Sequence, residues 1–373
     1  MRVLIDASTI REYRSGFGRY VGQLVEGFLN LGPEWIEILL VVNRETDWWV
    51  NLLESRKLEI VPITLPKRLG LYAAQISWTL RRLATRGVDL WHSPVAAPPL
   101  GLRIRTVVTV HDLAFYYYPH AYTKAALVYW KWVFKACIKR AAKIIAVSEN
   151  TRRDVIRLFG IPPSRVVTVY NALSLFCTGT LMSKQTNYLN ILPERYVLYV
   201  GALNPRKNVA TLIEAFAIMK KKTRLPHKLV LCGAAFWNDI NVLQIVRKHH
   251  LEEEVLLIGA VPDEMLPFFY KHADLFVYPS LYEGFGYPPL EAMALGVPVI
   301  ASCAPPFPEI LADGARYFYP HDPVELAEAM SEILTNPSVA NSLKQRGRER
   351  AMYFTIERMI KGTLAVYQAA YDR

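Results

Sequence analysis

The sequence lacks a long apolar run, and this absence argues against a membrane-spanning protein. None of its apolar stretches approaches the roughly 18–20 residues that a membrane-spanning helix needs. The N-terminal segment MRVLIDAS leads directly into a strand-like run, without the longer apolar stretch and cleavage site of a signal peptide. We therefore expect a cytoplasmic protein that does not span the membrane.

Cysteines are few, and their spacing does not suggest a metal site. The four cysteines are Cys137, Cys177, Cys232 and Cys303, and none lies in a CxxC or similar ligand spacing. The sequence also has no Asp-x-Asp cluster that could hold a divalent ion on a diphosphate. We predict reduced thiols, no metal and no cofactor.

The charge is unevenly distributed along the 373 residues. Residues 1–175 contain 24 Lys+Arg and 13 Asp+Glu, which accounts for the whole formal net charge of +11, and residues 176–373 contain 20 of each. A half of the chain so biased should attract an anionic partner, such as nucleic acid, an anionic membrane surface or an acidic substrate.

Apolar runs alternate with helical patterns in both halves, which predicts parallel sheets covered on both faces. The length suits two domains. We predict an α/β fold of two facing Rossmann-like, doubly wound domains, residues 1–176 and 194–354, with a cleft between them. A turn-rich linker is expected over residues 177–195, and a C-terminal helix, about 355–373, is expected to pack back on the first domain.

The segment SLYEGFGYPPLEAMALGVPVIAS, residues 280–302, has the features of a phosphate-binding turn. Glu283 precedes the turn Gly284, Phe285 and Gly286. Two prolines then start a helix, and we place Glu291 in the first turn of that helix. Glycines allow close backbone approach, and a helix N-terminus offers free N–H donors, so this segment suits a diphosphate with hydroxyls on either side.

Two glutamates in this spacing resemble the signature of the retaining family-4 glycosyltransferases, which have the two-domain GT-B fold. GFGRYV, VHDL, AVSENTRRD and VGALNPRKN extend the resemblance over essentially the whole chain. The resemblance implies that Glu291 holds the ribose hydroxyls of a nucleotide sugar and that Glu283 contacts the sugar. The backbone of residues 284–286 would lie near the diphosphate or the sugar. The alternative for Glu291 is a glutamate that interacts with the helix dipole.

Arg206 and Lys207 follow a strand and precede a helix, so they can reach the same edge of the sheet. Fixed cations there would stabilise the charge that develops on a departing diphosphate. The resemblance assigns an Arg/Lys pair to this role, although Ala202 stands where many members carry arginine. The alternative is an ordinary solvated basic loop.

Two motifs of the first half also offer candidate site residues, but each is short and has a structural alternative. His111 directly follows a strand, and in the resembling enzymes the matching histidine contacts the donor sugar; the alternative is a structural histidine. Gly16 and Gly18 do not form a dinucleotide fingerprint, because Val21 stands where a third glycine is needed. The resemblance places this loop near the donor phosphates and the acceptor, and the alternative is a simple turn.

Glu309 also matches a position in these enzymes, but we do not expect it to be catalytic.

The function that we predict is transfer of a hexose from a nucleotide sugar to a saccharide or lipid-linked saccharide, with retention of anomeric configuration. The PRKN variant favours GDP-mannose by resemblance, and UDP-sugars are the near alternative. A nucleotide-sugar 2-epimerase and a non-catalytic sugar-nucleotide-binding protein remain rivals. A phosphorylase is disfavoured, because it would need a longer chain and a pyridoxal site. The default oligomeric state is a monomer.

The segment KAALVYWKWVFKACIKRAAK, residues 124–143, suggests a second kind of partner. Its five lysines fall within one helical sector, so we expect a surface that meets anionic lipid headgroups at the inner face of the cell membrane. The alternative is an ordinary surface helix. No nucleic-acid-binding motif is present, so nucleic acid is not expected as a partner.

Overall fold

The computed structural model describes residues 1–11, 16–46, 58–64, 82–83, 87–95, 104–173, 192–234 and 242–372. Cys177 and most of the predicted linker lie outside the described residues. The chain forms two compact units. The first combines Met1–Ala172 with Thr355–Arg373, and the second is Leu173–Phe354.

Within its described residues, the first unit contains a parallel sheet of seven strands in the order β3-β2-β1-β4-β5-β6-β7. The central strands are buried on both faces, as their continuous Val/Ile/Leu runs predict. The strands are β1 (Arg2–Ala7), β2 (Glu37–Asn43), β3 (Leu58–Ile63), β4 (Leu90–Ser93), β5 (Arg105–Val110), β6 (Lys143–Ala146) and β7 (Val166–Thr168).

Helices connect these strands. Helix α5 begins after the cap Ser148, whose side chain accepts from Thr151 N, and ends at Gly160 in the left-handed conformation. A π-helical turn, Tyr129–Phe134, joins α3 (Lys124–Val128) to α4 (Lys135–Arg140). The helices are α1 (Gly16–Leu31), α2 (Ala114–Tyr117), α3 (Lys124–Val128), α4 (Lys135–Arg140) and α5 (Glu149–Phe159).

The last helix of the chain, Ile356–Tyr371, packs against α1 within the first unit. Phe28 of α1 stacks on Tyr367, with ring centroids 5.5 Å apart. At the crossing, a Cβ added to Gly27 would lie 2.6 Å from a side-chain carbon of Ile360, so glycine permits the close approach. The apolar face of this helix therefore completes the first core.

The described residues of the second unit repeat the same topology. Its parallel sheet has six strands in the order β10-β9-β8-β11-β12-β13, the Rossmann order of 3-2-1-4-5-6. The strands are β8 (Tyr196–Val200), β9 (Lys228–Cys232), β10 (Val255–Gly259), β11 (Leu275–Tyr278), β12 (Val299–Ser302) and β13 (Ala315–Phe318). Its helices are α6 (Val209–Lys222), α7 (Val242–Lys248), α8 (Leu266–Lys271), α9 (Tyr287–Ala294), α10 (Phe307–Leu311), α11 (Pro323–Thr335) and α12 (Pro337–Ala351), followed in the chain by α13 (Ile356–Tyr371). The prediction of two Rossmann-like doubly wound sheets is confirmed.

The structure corrects one part of the predicted lysine stripe. Helix α4 ends at Arg140, and Lys143 lies in strand β6, where it is buried and its Nζ donates to the Ser164 carbonyl at 2.9 Å. Lys143 therefore does not belong to the exposed face of residues 124–140. Among the described residues, no helix has the length and apolar character needed to cross a membrane.

Candidate functional site

In the second unit, strands β8 and β11 are neighbours at the point where the strand order reverses. Open parallel sheets bind ligands beyond the carboxyl ends of strands at such a point. The loop after β8 and the loop after β11 are joined there, because Leu281 N donates to the Arg206 carbonyl at 2.8 Å. Two sequence motifs that lie far apart in the chain thus form one structural element.

The local conformation after β8 explains how the basic pair reaches this point. Residues Pro205–Lys207 form a short 3-10 helix, capped by Asn204, whose side chain accepts from Lys207 N at 3.2 Å. Asn208 then adopts a left-handed conformation with φ of 56°. Its Nδ2 donates to the carbonyls of Pro279 and Pro320, which fixes the turn against the ends of two other strands.

Arg206 and Lys207 converge on Glu283. Its Oε1 lies 2.5 Å from Lys207 Nζ and 2.9 Å from a guanidinium nitrogen of Arg206, and it accepts from Ser280 Oγ at 2.6 Å. Burial disfavours ionisation of Glu283, but the two cations and the hydrogen bonds from Lys207 and Ser280 outweigh it and lower its pKa to about 2. Glu283 is therefore ionised at neutral pH.

Tyr278 completes this charged cluster. Lys207 Nζ donates to the Tyr278 hydroxyl at 2.6 Å and lies 5.0 Å from the ring centroid. Burial and the charge of Glu283 raise the pKa of Tyr278 well above its usual value, so the hydroxyl is neutral. Sequence reasoning missed Tyr278, although it lies five residues before Glu283. The cluster of Arg206, Lys207 and Glu283 carries a net charge of +1.

The glycine turn and the helix after it have the predicted order. Gly286 precedes α9 with φ of 98°, and a Cβ there would lie 2.9 Å from the Phe307 ring, so both conformation and space require glycine. Glu291 lies in the second turn of α9, which corrects the prediction of the first turn. It is fully buried, and its Oε2 accepts from the Tyr270 hydroxyl at 2.9 Å.

Glu309 lies on α10, two residues after Phe307. It is half-buried on α10, and its backbone carbonyl accepts from Arg350 at 2.7 Å. This carbonyl therefore anchors Arg350 of α12.

In the first unit, His111 lies close to the glycine loop predicted at residues 16–18, which the structure shows as the first turn of helix α1 and not as a loop. Helix α1 begins at Gly16, and Gly18 is buried in its first turn. The His111 ring makes edge contacts with Phe17 and Tyr20, with centroids 4.9 and 4.8 Å away. The structure thus brings together two motifs that the sequence separates by more than 90 residues.

The His111 side chain is neutral at pH 7. Its Nε2 lies 2.7 Å from the Pro94 carbonyl, an acceptor, so Nε2 carries the proton and Nδ1 is an acceptor. Burial lowers the pKa of His111 to about 4, against the smaller opposing effect of this hydrogen bond. A neutral ring of this tautomer can accept a hydrogen bond from a hydroxyl.

A buried hydrogen-bonded chain lies behind His111, and sequence reasoning missed it. His92 is fully buried between the Tyr367 hydroxyl at 2.7 Å and Thr109 Oγ1 at 2.8 Å. Thr109 Oγ1 lies 3.0 Å from the Tyr20 hydroxyl. Burial, followed by the charge of His111, lowers the pKa of His92 to about 3. The chain connects α13 to the tyrosine that contacts His111.

Two family sequence models match successive parts of the chain. The model described as Glycosyltransferase Family 4 matches residues 14–175, and the model described as Glycosyl transferases group 1 matches residues 184–350. The chain belongs to the family-4 glycosyltransferases. The first match includes His111 and the glycine loop, and the second includes the whole charged cluster.

One curated relative of this glycosyltransferase matches nearly the whole chain, and another matches more than half of it. The O-antigen chain mannosyltransferase B of Escherichia coli is 29% identical over 389 residues, which cover 99% of this chain and 100% of the relative. The O-antigen chain mannosyltransferase RfbU of Salmonella typhimurium is 30% identical over 232 residues, which cover 62% and 61%.

Solved structures agree with the GT-B fold of the glycosyltransferase. Sucrose-phosphate synthase from Thermosynechococcus elongatus matches with a TM-score of 0.80 at 21% identity, over 100% of this chain and 99% of that one. HepE of Anabaena, in complex with UDP and glucose, matches with a TM-score of 0.77 at 18% identity, over 99% and 100%. At these identities the likeness establishes the fold alone.

Proposed function

We propose that this glycosyltransferase moves mannose from GDP-mannose to a saccharide or lipid-linked saccharide, with retention of anomeric configuration. The charged cluster of Arg206, Lys207 and Glu283 is the observation that carries the proposal. Fixed cations that are already in place lower the barrier most when negative charge develops on a leaving diphosphate. The relatives named as O-antigen mannosyltransferases favour mannose and a polysaccharide or lipopolysaccharide product.

Each site residue has a proposed role. Arg206 and Lys207 contact the diphosphate, with the backbone of Gly284, Phe285 and Gly286 beside it. Glu283 accepts hydrogen bonds from the sugar, and Glu291 holds the ribose hydroxyls. Because Glu291 is fully buried against Tyr270, ribose binding requires a rearrangement that exposes its carboxylate. The roles predicted for His111, at the sugar, and for Gly16 and Gly18, near the donor phosphates, remain predictions.

Glu283 orients the donor in this mechanism and does not attack it. Its Oε1 is surrounded by two cations and a hydroxyl, which stabilise the carboxylate and lower its nucleophilicity. The acceptor oxygen bonds to the anomeric carbon on the face from which the diphosphate leaves. The bond from that carbon to the phosphate oxygen breaks, and the acceptor proton passes to the departing phosphate.

A UDP-sugar donor is the second candidate, since the fold is shared with HepE in complex with UDP and glucose. A nucleotide-sugar 2-epimerase would convert the donor without an acceptor. A non-catalytic protein would bind the nucleotide and release the sugar unchanged. The lipid-linked acceptor would place the reaction at the inner face of the cell membrane, carried out by a monomer.

The melting temperature of the protein with GDP, UDP or ADP tests the donor. A nucleotide at about 100 times its Kd stabilises the folded state by about 2.7 kcal/mol, a readily visible shift. We expect a shift with GDP, followed by mannose transfer to a saccharide acceptor whose new linkage is assigned by NMR. A melting shift with UDP alone would indicate a UDP-sugar donor in place of GDP-mannose. Conversion of the donor in the absence of an acceptor would favour the epimerase. Absence of a melting shift with all three nucleotides would contradict the proposal.

A further inference from the structure

One face of residues 124–140 in the first unit exposes large apolar side chains beside lysines. Trp132 is 74% exposed and Val128 is 60% exposed. Lys124, Lys131 and Lys139 are exposed on the same segment. We call these five residues the Trp132 face. Large apolar side chains exposed beside basic ones are typical of surfaces that bind a partner.

The Trp132 face belongs to a well-anchored segment. On the opposite side, Trp130 stacks on Phe115 at 5.6 Å, and Phe134 and Ile138 are buried in the core. Thr123 caps the N-terminal end by accepting from Ala126 N at 3.3 Å. Arg165 donates to the Lys139 carbonyl at 2.9 Å and to other carbonyls at the C-terminal end. The exposure of Trp132 is therefore fixed by the packing of its neighbours.

The charge around this face has one sign. Between Asp112 and Glu149 the sequence contains six Lys+Arg and no acidic residue. Among the residues that the structure describes, Lys124, Lys131 and Lys139 form no ion pair. Their charges are therefore available to an anionic partner.

We propose that the Trp132 face docks on an anionic phospholipid bilayer. Tryptophan favours the boundary between headgroups and acyl chains, where an aromatic body and a polar N–H are both accommodated. Lysines around it interact with anionic headgroups, and the combination of an apolar insertion with a basic rim is typical of interfacial helices. Nucleic acid would use the lysines but would give no reason for the exposed aliphatic Val128.

Vesicle co-sedimentation of the full chain tests this docking without donor or acceptor, so its outcome is separate from that of the proposed transfer. We expect binding to phosphatidylcholine vesicles that contain phosphatidylglycerol, weaker binding at high salt, and little binding to pure phosphatidylcholine. Lys131→Gln with Lys139→Gln should lower the partition coefficient about 25-fold, since each cation near an anionic leaflet contributes about fivefold. Trp132→Ala should lower it roughly tenfold through lost apolar burial.

Matched variants in the second unit serve as controls. Lys221→Gln with Lys248→Gln removes two exposed lysines, and Met352→Ala removes a side chain that is 74% exposed, as Trp132 is. Both should bind vesicles as the wild type does, and every variant should melt within a few degrees of it. Absence of binding to the anionic vesicles at low salt would overturn the proposal. Equal losses in the controls, or lysine-dependent binding to duplex DNA without vesicle binding, would also overturn it.

Discussion

The two units place opposite kinds of chemistry at their candidate sites. The second unit, Leu173–Phe354, has 17 Lys+Arg and 18 Asp+Glu, a formal net charge of −1, and it brings Arg206, Lys207 and Glu283 into one charged cluster. The first unit, Met1–Ala172 with Thr355–Arg373, has 27 Lys+Arg and 15 Asp+Glu, a formal net charge of +12, and it presents His111 as a neutral ring backed by the neutral His92. The net charge of a unit therefore does not predict the charge at its candidate site.

This difference matches what each region would bind. Paired cations that are fixed by hydrogen bonds suit a diphosphate, because their orientation is set before the ligand arrives. A neutral imidazole that is fixed by a backbone carbonyl suits a hydroxyl. The charge excess of the first half contributes instead to the Trp132 face. The comparison predicts that charge-changing substitutions affect the second unit most, and that pH affects the first unit most near neutrality.

Removing the charge of Glu283 should have the largest effect. We expect Glu283→Gln to lower kcat about 10²–10³-fold, the range found when a preorganised electrostatic contact is lost. The nucleotide-induced melting shift should persist, because the cations remain. Steady-state transfer assays measure kcat, and intact mass spectrometry of the wild type with donor should show no glycosyl adduct. Glu309→Gln is the control and should retain activity. Detection of an adduct would make Glu283 a nucleophile and contradict its orienting role.

Removing one cation tests whether the charged cluster also stabilises the fold. Lys207→Met should lower the free energy of unfolding by about 3 kcal/mol, because the buried Glu283 would keep only the partly exposed Arg206 as a paired cation. Lys222→Met breaks an exposed ion pair with Glu328 and should cost less than about 1 kcal/mol. Urea denaturation at pH 7 measures both.

The destabilisation caused by Lys207→Met should depend on pH. The pKa of Glu283 is lowered to about 2, so its stabilising contribution is fully present above the ordinary value of 4.5 and is lost as pH falls through about 2. The difference between wild type and Lys207→Met should therefore shrink between pH 4.5 and pH 2. A difference that stayed constant over this range would mean that Lys207 stabilises the protein through packing and not through charge.

The central strands of both sheets are predictable from the sequence because they are buried on both faces. Their apolar runs are continuous and end in small or polar residues. Edge strands β3 and β13 carry a weaker signal: β3 is half-exposed and contains Pro62, and β13 contains the exposed Arg316. An edge strand has one paired side, so it tolerates proline and polar residues and gives no continuous apolar run.

The candidate residues are predictable one by one, but their partners are not. Glu283 and Lys207 stand out because their motifs combine charge with glycine or proline. Tyr278 becomes a partner of Lys207, and Ser280 Oγ donates to the Arg206 carbonyl, because β8 and β11 are adjacent, which depends on the topology of the whole sheet. His92 and Tyr367 are 275 residues apart and meet because α13 returns to the first unit. Local sequence patterns contain no information on such pairings.

The buried histidine of the first unit should make stability fall on mild acidification. His92 has a folded-state pKa of about 3, so below the ordinary value of 6.5 the unfolded chain binds a proton that the folded chain does not. Stability is therefore lost as pH falls from 6.5 towards 3, by about 2 kcal/mol at pH 5. His92→Gln should remove this part of the pH dependence, as measured by urea denaturation at pH 8 and pH 5. The exposed His321→Gln is the control, and an unchanged slope in His92→Gln would show that burial of His92 is not the cause.

The hydrogen bond between Tyr270 and Glu291 should have the smallest effect, because it is a single bond outside the charged cluster. If Glu291 binds the ribose, Tyr270→Phe removes a bond worth about 1 kcal/mol that holds its side chain in the buried position, so the donor KM should fall about fivefold while kcat stays within twofold. Tyr196→Phe removes a similar buried bond, from its hydroxyl to the Phe269 carbonyl, and should destabilise the protein without changing KM. A fall in kcat at unchanged KM in Tyr270→Phe would mean that Glu291 acts in the transition state. Glu291 would then contribute to the reaction step, as we propose for the charged cluster, and not only to donor binding.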